Sequence, residues 1–437
     1  IDNYQNNGIS YVILGGDADP QNASDRIIPH RGFYSDAYGM DEYDIPSDLY
    51  YSCLDGNWND DGDNKWGEVG EDDLYAELSI GRICVDNAEE IANFTNKLHM
   101  YQDAPVVEDI VKALMVGELL WDDPTWGGDY KDEVAEGSSS QGYTTAGVSD
   151  NFTVARLYEK EANWEKPDIF DQFINAGINL LNHLGHSNTN YNMKMYCSDI
   201  TTTNFQNDGV SRGFVIGYSQ GCYNGAFDNR GTSAGSYGDD SFCEDITTLE
   251  TAEVANVGNS RYGWGQHSST DGASQYFDRQ FYDAIFGEDI WLIGDVNRDS
   301  KEDNVGYISS HQGAIRWCYY QTNLFGDPTL DIWTAAPTDI VATYPEGVSI
   351  GVSQIDFQTD APYARIGLMQ NGNLIGRGVA DENGQASVYC FEPITQVDPI
   401  DVSIIAHNKN RHTGNIVIVT DEPYVIFKSF TINDQAG

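Results

Sequence analysis

Two stretches decide the expected fold: INLLNHLGHS at residues 178–187 and RGFVIGYSQGC at residues 212–222. Each is a continuous apolar run that reaches a glycine, which is typical of a parallel strand buried on both faces. Residues 9–16, 111–118 and 252–260 repeat this pattern. Between these runs, apolar residues at three- and four-residue spacing predict helices over residues 87–103, 168–177 and 274–287. This alternation predicts an α/β fold, with a mostly parallel sheet and helices on both of its faces.

The sequence changes character after Ala336. Short alternating runs replace the helical periodicity, and QNGN at 370–373 and ENGQ at 382–385 carry the Asn-Gly signal of tight hairpins. These features predict an all-β immunoglobulin-like sandwich over residues 336–420. We therefore expect an α/β domain over residues 1–335 that lacks its extreme N-terminal part, then the sandwich. Residues 421–437 would form a linker or the start of a further β-module.

The composition restricts the possible partners. The 437 residues include 69 acidic and 23 basic side chains, which gives a formal net charge of -46. A surface this negative repels phosphate backbones and anionic headgroups, so we expect neither nucleic acids nor membrane surfaces as partners. No apolar run approaches the roughly 20 residues of a membrane-spanning helix. The charge suits a secreted or cell-surface protein that binds divalent cations, or a protein from a saline habitat.

The cysteines do not form a recognisable framework. There are seven, without a C-x-x-C pair or dense spacing, so neither a set of structural disulfides nor a zinc site is expected. Because the number is odd, at least one thiol stays free or pairs between chains. Five of them have apolar or aromatic neighbours and are expected to be buried and unreactive, namely Cys53, Cys84, Cys197, Cys318 and Cys390.

Cys222 follows one predicted strand, and His186 follows another. The carboxyl ends of parallel strands meet at one edge of an open α/β sheet, so this thiol and this imidazole are expected side by side. The imidazole could take the thiol proton during attack on an amide and return it to the leaving amine. The amides of Cys222 and Ser187 are candidate donors to the oxyanion. His183 points to the other face of its strand and is expected to be a core or supporting residue.

NHLGHS at 182–187 resembles the histidine element of caspase-like peptidases, and SQGCYNG at 219–225 resembles their nucleophile turn. The similarity is closer to the gingipain family, and it extends through YVILGGD, IPSDLYYSCLDGNWNDDGD, LYAELSIGRI, NVGNSRYGW and NLFGDPTL. This resemblance implies a caspase-like α/β/α sandwich and a cysteine peptidase. It maps the nucleophile to Cys222, the general base to His186 and the oxyanion hole to the amides of Cys222 and Ser187. It also implies that Glu118 orients the imidazole.

The resemblance suggests a specificity as well. Gingipains recognise a basic P1 side chain through a buried acid, and WGGDYKDEV at 126–134 occupies the matching place. Asp132 or Asp129 would then pair with a P1 arginine or lysine, and Trp264 would form a wall of the pocket. The alternative is that both acids are surface charges. Two departures from the family pattern are Ser187, where gingipains have a glycine, and Cys243, which follows a Ser-Phe pair.

An acidic segment predicts a metal site. In NWNDDGDNKWGE at residues 57–68, the residue spacing matches a calcium-binding EF-hand loop, with a glycine at position 6 and a glutamate at position 12. Since gingipain-like proteins also carry calcium, we expect a structural calcium ion rather than a merely polar loop. The candidate ligands are Asn57, Asn59, Asp61, Asp63 and Glu68. A weaker match at residues 295–306 is interpreted as helix capping.

Together these features predict a secreted cysteine endopeptidase that acts on proteins or peptides through a thioester. One alternative is a catalytically silent surface or matrix scaffold that binds calcium or other subunits. A second alternative is a cysteine transpeptidase, which would use the same residues. A separate N-terminal fragment, or further domains of the same precursor, would be expected partners.

Overall fold

A computed structural model of the chain describes residues 4–21, 26–233 and 235–420. The chain divides between Ala335 and Ala336 into two compact units, each with its own hydrophobic core. The predicted linker or further module at 421–437 lies outside the described residues.

The first unit is built around an eight-stranded sheet with the order β1-β4-β14-β13-β12-β9-β5-β8. Neighbouring strands pair in parallel except β13 and β14, which confirms the predicted mostly parallel sheet. The strands of this unit are β1 (Tyr11–Gly15), β2 (Arg31–Ala37), β3 (Met40–Ser47), β4 (Ser79–Ile83), β5 (Lys112–Gly117), β6 (Leu119–Trp121), β7 (Thr125–Trp126), β8 (Thr153–Tyr158), β9 (Leu180–Leu184), β10 (Tyr191–Asn192), β11 (Met195–Tyr196), β12 (Val215–Ser219), β13 (Glu253–Asn259) and β14 (Thr322–Phe325). Three short hairpins, β2–β3, β6–β7 and β10–β11, lie outside the large sheet.

Helices cover both faces of this sheet, as predicted. Along β5, Ala113 and Met115 pack in one core with residues of α3, α6 and α7, while Leu114 and Val116 pack in another with residues of α4 and α5. This alternation follows from the two-residue period of a strand. The helices are α1 (Tyr4–Asn7), α2 (Ala88–Asp103), α3 (Gly127–Glu136), α4 (Lys166–Phe170), α5 (Phe242–Thr248), α6 (Ala273–Phe286), α7 (Ile293–Glu302) and α8 (Ala314–Gln321).

The predicted helices were correct in part. Helices α2 and α6 match the predictions at 87–103 and 274–287 within one residue at each end. The helix predicted over 168–177 is wrong in extent. The structure has the short helix α4 and a separate 3₁₀ turn, Ile174–Ala176, which ends at Gly177 with a φ of 97°. The segment at 295–306 was interpreted as helix capping. It instead supplies the body and C-terminal end of α7, whose N-cap is Leu292 without a side-chain cap hydrogen bond.

The second unit is all β. Its strands are β15 (Thr338–Asp339), β16 (Ala342–Thr343), β17 (Gly347–Ser349), β18 (Gln354–Thr359), β19 (Arg365–Gln370), β20 (Asn373–Val379), β21 (Gln385–Cys390), β22 (Ile400–Ile405), β23 (Lys409–Asn410) and β24 (His412–Val419). Asn371 and Gly372 connect β19 to β20 with positive φ angles of 53° and 76°, so the predicted Asn-Gly hairpin is confirmed. Within the described ranges, each helix is too short or too polar to cross a membrane.

Strand β24 allows a test of the second unit's independence. Ile416 faces the core with 0% exposure, whereas its neighbour Val417 is 54% exposed. We expect a fragment of residues 336–420 to unfold cooperatively on its own. Ile416→Ala should lower its free energy of unfolding by about 2–5 kcal/mol, because it leaves a cavity. The matched control Val417→Ala should change it by no more than about 0.5 kcal/mol. Urea denaturation would measure both values, and a fragment without a cooperative transition would contradict this assignment.

Candidate active site

Three neighbouring strands deliver polar side chains to one edge of the sheet. Strand β9 pairs in parallel with β5 on one side and with β12 on the other. Glu118 follows β5, His186 follows β9 after one glycine, and Cys222 follows β12 after two residues. The parallel register therefore brings all three chain positions together, as the sequence predicted.

His186 and Cys222 line the same cavity. The other lining residues are Leu120, Trp121, Leu184, Gly185, Gln220, Gly263, Trp264, Gly265 and Ser274. His186 is exposed, while Cys222 is half-buried, with its Sγ 3.8 Å from the carbonyl oxygen of Gly263. Burial raises the pKa of the Cys222 thiol above its ordinary value. The resting thiol is therefore protonated near neutral pH, so attack on a substrate requires a base that accepts its proton.

A buried hydrogen-bond network supports the turns that carry His186 and Cys222. One oxygen of Glu118 lies 3.0 Å from Nε2 of His183, and the other accepts from the backbone amide of His186 at 3.2 Å. Nδ1 of His183 lies 2.9 Å from Oγ of Ser219, which in turn accepts from the amide of Gly221 at 3.2 Å. The chain of contacts thus connects the ends of β5, β9 and β12.

This network corrects the predicted role of Glu118. The resemblance to gingipains implied that Glu118 orients the His186 imidazole, but its hydrogen bonds go to the His183 ring and to the main chain of His186. His183 is fully buried, in agreement with the predicted supporting role. Glu118 therefore fixes the position of the loop that carries His186, rather than contacting its ring.

A hydrogen bond of Ser187 connects the turn that carries His186 to the turn that carries Cys222. Its Oγ donates to the carbonyl oxygen of Cys222 at 2.6 Å. The turns approach so closely that a Cβ added at Gly221 would lie 2.2 Å from this Oγ, which explains the glycine before Cys222. The serine that departs from the gingipain pattern thus has a structural role.

The acids predicted to recognise a basic P1 residue lie elsewhere. Asp129 and Asp132 are on helix α3, where both pair with Lys160 at 2.8 Å, and Asp132 also pairs with Arg156 at 3.2 Å. Neither residue lines the cavity. These contacts agree with the alternative in which both acids are surface charges. Trp264 does line the cavity, as predicted.

The acidic loop brings a different set of oxygens together from the set predicted. Carboxylate oxygens of Asp61, Glu68 and Glu71 lie within 4.8 Å of one another, and Gly62 turns with a φ of 75°. Glu71 falls outside the EF-hand window and was missed. Its Oε2 is buried without a hydrogen-bond partner, which suits a cation.

The other predicted ligands make contacts inside the loop. Asn57 donates to Asp60, Nδ2 of Asn59 donates to the carbonyl of Asp63 at 3.1 Å, and Oδ1 of Asp63 accepts from the amide of Lys65 at 2.6 Å. A second acidic group nearby was also missed, because its members are spread over the sequence. It consists of Asp55, Asp73 and Glu77, again within 4.8 Å of one another.

A thiol and an imidazole on adjacent strand ends, facing a common cavity, are the arrangement of a cysteine peptidase. The family model for peptidase family C25 matches residues 1–333, so the chain belongs to peptidase family C25.

The comparisons with individual proteins agree with this membership. The chain is 23% identical over 413 residues to Lys-gingipain W83 of Porphyromonas gingivalis, covering 89% of this chain but 21% of that protein. It is 20% identical over 429 residues to gingipain R2 of the same species, covering 90% of this chain and 54% of that protein. The crystal structure of the Arg-specific cysteine proteinase gingipain R aligns with a TM-score of 0.71 at 19% identity, over 96% of this chain and 86% of that one. This match confirms the caspase-like α/β fold with an immunoglobulin-like domain.

Substitutions of Glu118 test whether it acts through the main chain. We expect Glu118→Ala to lower kcat/KM by about 10²-fold, because a displaced catalytic loop costs about this factor. Glu118→Gln keeps one acceptor oxygen, so it should lower kcat/KM by a smaller factor. Since the carboxylate contacts His186 through its backbone amide and not through its ring, the acidic limb of the pH profile of kcat/KM should keep its midpoint in both variants.

The control for these variants is Glu89→Gln, an exposed carboxylate on α2, which should leave kcat/KM unchanged. Cleavage of an unstructured protein substrate between pH 5 and pH 9 would provide the profiles. A midpoint that shifts in Glu118→Gln would show that the carboxylate acts on the imidazole itself.

Proposed function

We propose that this cysteine peptidase is an endopeptidase in which Cys222 is the nucleophile and His186 the general base. The observation that carries the proposal is their position on one cavity, at the ends of two adjacent parallel strands. His186 takes the thiol proton as Sγ of Cys222 bonds to the substrate carbonyl carbon. The amides of Cys222 and Ser187 donate to the resulting oxyanion. His186 then protonates the leaving amine, and a water molecule hydrolyses the thioester.

The proposal also covers the location of the protein and its partners. The net charge of -46 supports a secreted or cell-surface location, because it keeps the protein away from polyanions and favours bound divalent cations. A solved complex of the pro- and mature domains of a gingipain, at a TM-score of 0.67, supports an N-terminal fragment of the precursor as a partner. The chain spans about a fifth of the Lys-gingipain and about half of gingipain R2, so further domains are also proposed.

The relatives' names associate them with lysine or arginine, which favours a basic P1 residue for this protein too. The ion pairs of Asp129 and Asp132 weigh against this preference, because these acids do not reach the cavity.

A structural calcium ion is proposed at the acidic loop. The support is the convergence of Asp61, Glu68 and Glu71, an all-oxygen set of the kind that Ca²⁺ prefers. Asp55, Asp73 and Glu77 offer a second set of the same kind. Calcium would neutralise carboxylates that otherwise repel one another.

The catalytic roles predict the effects of two substitutions. Cys222→Ala and His186→Ala should each lower kcat/KM by at least about 10³-fold, and the double variant should lose little more, because the two groups act as a unit. Peptides with blocked termini should be cut internally, and mass spectrometry would identify the products.

The matched control is Cys197→Ala, another half-buried thiol, which should keep full activity. Iodoacetamide should label Cys222 in preference to Cys197 in the wild type. Joined peptides instead of hydrolysed ones would favour the transpeptidase. A folded protein that does not cleave peptides and is not labelled by iodoacetamide at Cys222 would favour the alternative of a catalytically silent scaffold.

Calcium should stabilise the first unit. At about 100 times the dissociation constant, one ion adds about 2.7 kcal/mol to the free energy of unfolding. Calcium should therefore raise the Tm. Combining Asp61→Asn with Glu68→Gln should abolish the part of this calcium-induced increase that the acidic loop provides. Asp63→Asn is the control, because asparagine keeps the oxygen that accepts from the amide of Lys65. An equal response in the double variant and in the control would contradict a site at this loop.

A further inference from the structure

The cavity beside Cys222 has an unusual composition for a site that would recognise a basic side chain. Its walls are formed by Leu120, Trp121, Leu184 and Trp264, and none of its described lining residues is an aspartate or glutamate. A guanidinium or ammonium group placed there would lose water without gaining a carboxylate, which is strongly unfavourable. The cavity therefore lacks the partner that a basic P1 residue needs.

Gln220 contributes a side-chain amide to the lining of the cavity, beside His186, Cys222 and Ser274, and the orientation of this amide is fixed. Nε2 of Gln220 donates to Oε1 of Gln275 at 2.7 Å and to Oδ2 of Asp278 at 2.6 Å. Both amide hydrogens are thus engaged beneath the cavity. The reverse orientation would place the Gln220 oxygen against two acceptors, so the carbonyl oxygen is the atom left for a ligand. Gln220 is 3% exposed, so this acceptor is held in place by packing.

The nearest carboxylate below Gln220 is already neutralised. Asp278 pairs with Lys131, and Asn182 bonds to both of them. All three side chains are fully buried. Because Lys131 supplies the positive charge inside the protein, Asp278 offers no unpaired negative charge to a substrate.

We propose that this cavity is the S1 subsite and that Gln220 selects an uncharged P1 side chain with a hydrogen-bond donor, above all glutamine or asparagine. The inference rests on the proposed peptidase function and specifies its substrate class. The P1 amide N–H donates to the carbonyl oxygen of Gln220, while the side-chain carbons pack between Trp121 and Trp264. A site built to satisfy a substrate donor discriminates strongly against a substrate without one.

The test uses quenched peptides that differ only at P1, which is Gln, Asn, Met, Arg or Lys. Met has nearly the shape of Gln but carries no donor. We expect the wild type to cleave the Gln peptide with a kcat/KM at least about 100-fold above the Arg and Lys peptides and at least about tenfold above the Met peptide. Gln220→Met should remove the advantage of Gln over Met.

The concentration of active enzyme would be determined by titrating Cys222 with an alkylating reagent, so that a misfolded variant is recognised and excluded. The control is Glu136→Gln. Glu136 is an exposed acid at the end of α3 that pairs with Arg156 of β8, and this variant should keep the wild-type profile. Preferred cleavage after Arg or Lys by the wild type would overturn this proposal but would leave the peptidase function standing. Absence of cleavage and of Cys222 labelling would instead refute the peptidase function itself.

Discussion

The geometry of the candidate active site depends on one buried carboxylate. Glu118 is 4% exposed, and its two oxygens are bound to the ring of His183 and to the main chain of His186. Each hydrogen bond to a charged group contributes about 1.5–3 kcal/mol, and leaving such a group unsatisfied inside the protein costs more. The loop that carries His186 is therefore held to the end of β5. Through His183 and Ser219 the same network reaches the turn before Cys222.

The negative charge of the protein is not carried by the residues that line the cavity. The large negative charge lies mostly on surface segments, where acidic groups such as Asp61, Glu68 and Glu71 converge. At the cavity, by contrast, the protein presents the neutral amide of Gln220, and the carboxylate that this amide contacts, Asp278, is paired internally with Lys131. An acidic composition therefore does not by itself produce a pocket for basic side chains, because burial requires each carboxylate to have a partner.

The sequence was sufficient for the parts of the site that depend on strand periodicity. Apolar runs ending in glycine predicted β9 and β12, and alternation correctly placed His183 in the interior. The ion pairs of the candidate pocket acids were not foreseen, because no helix was predicted over residues 127–136. On a helix, Asp129 and Asp132 share the face that meets Lys160, and Lys131 turns into the core. No local pattern predicts Gln275 and Asp278 beneath Gln220, since those contacts join segments more than fifty residues apart.

Trapping the covalent intermediate tests the central claim most directly. Enzyme mixed with an activated peptide ester and quenched in acid should carry one acyl group, and proteolytic mapping by mass spectrometry should place it on Cys222. An acyl group on another residue, or product formation without any acylated Cys222, would contradict the mechanism.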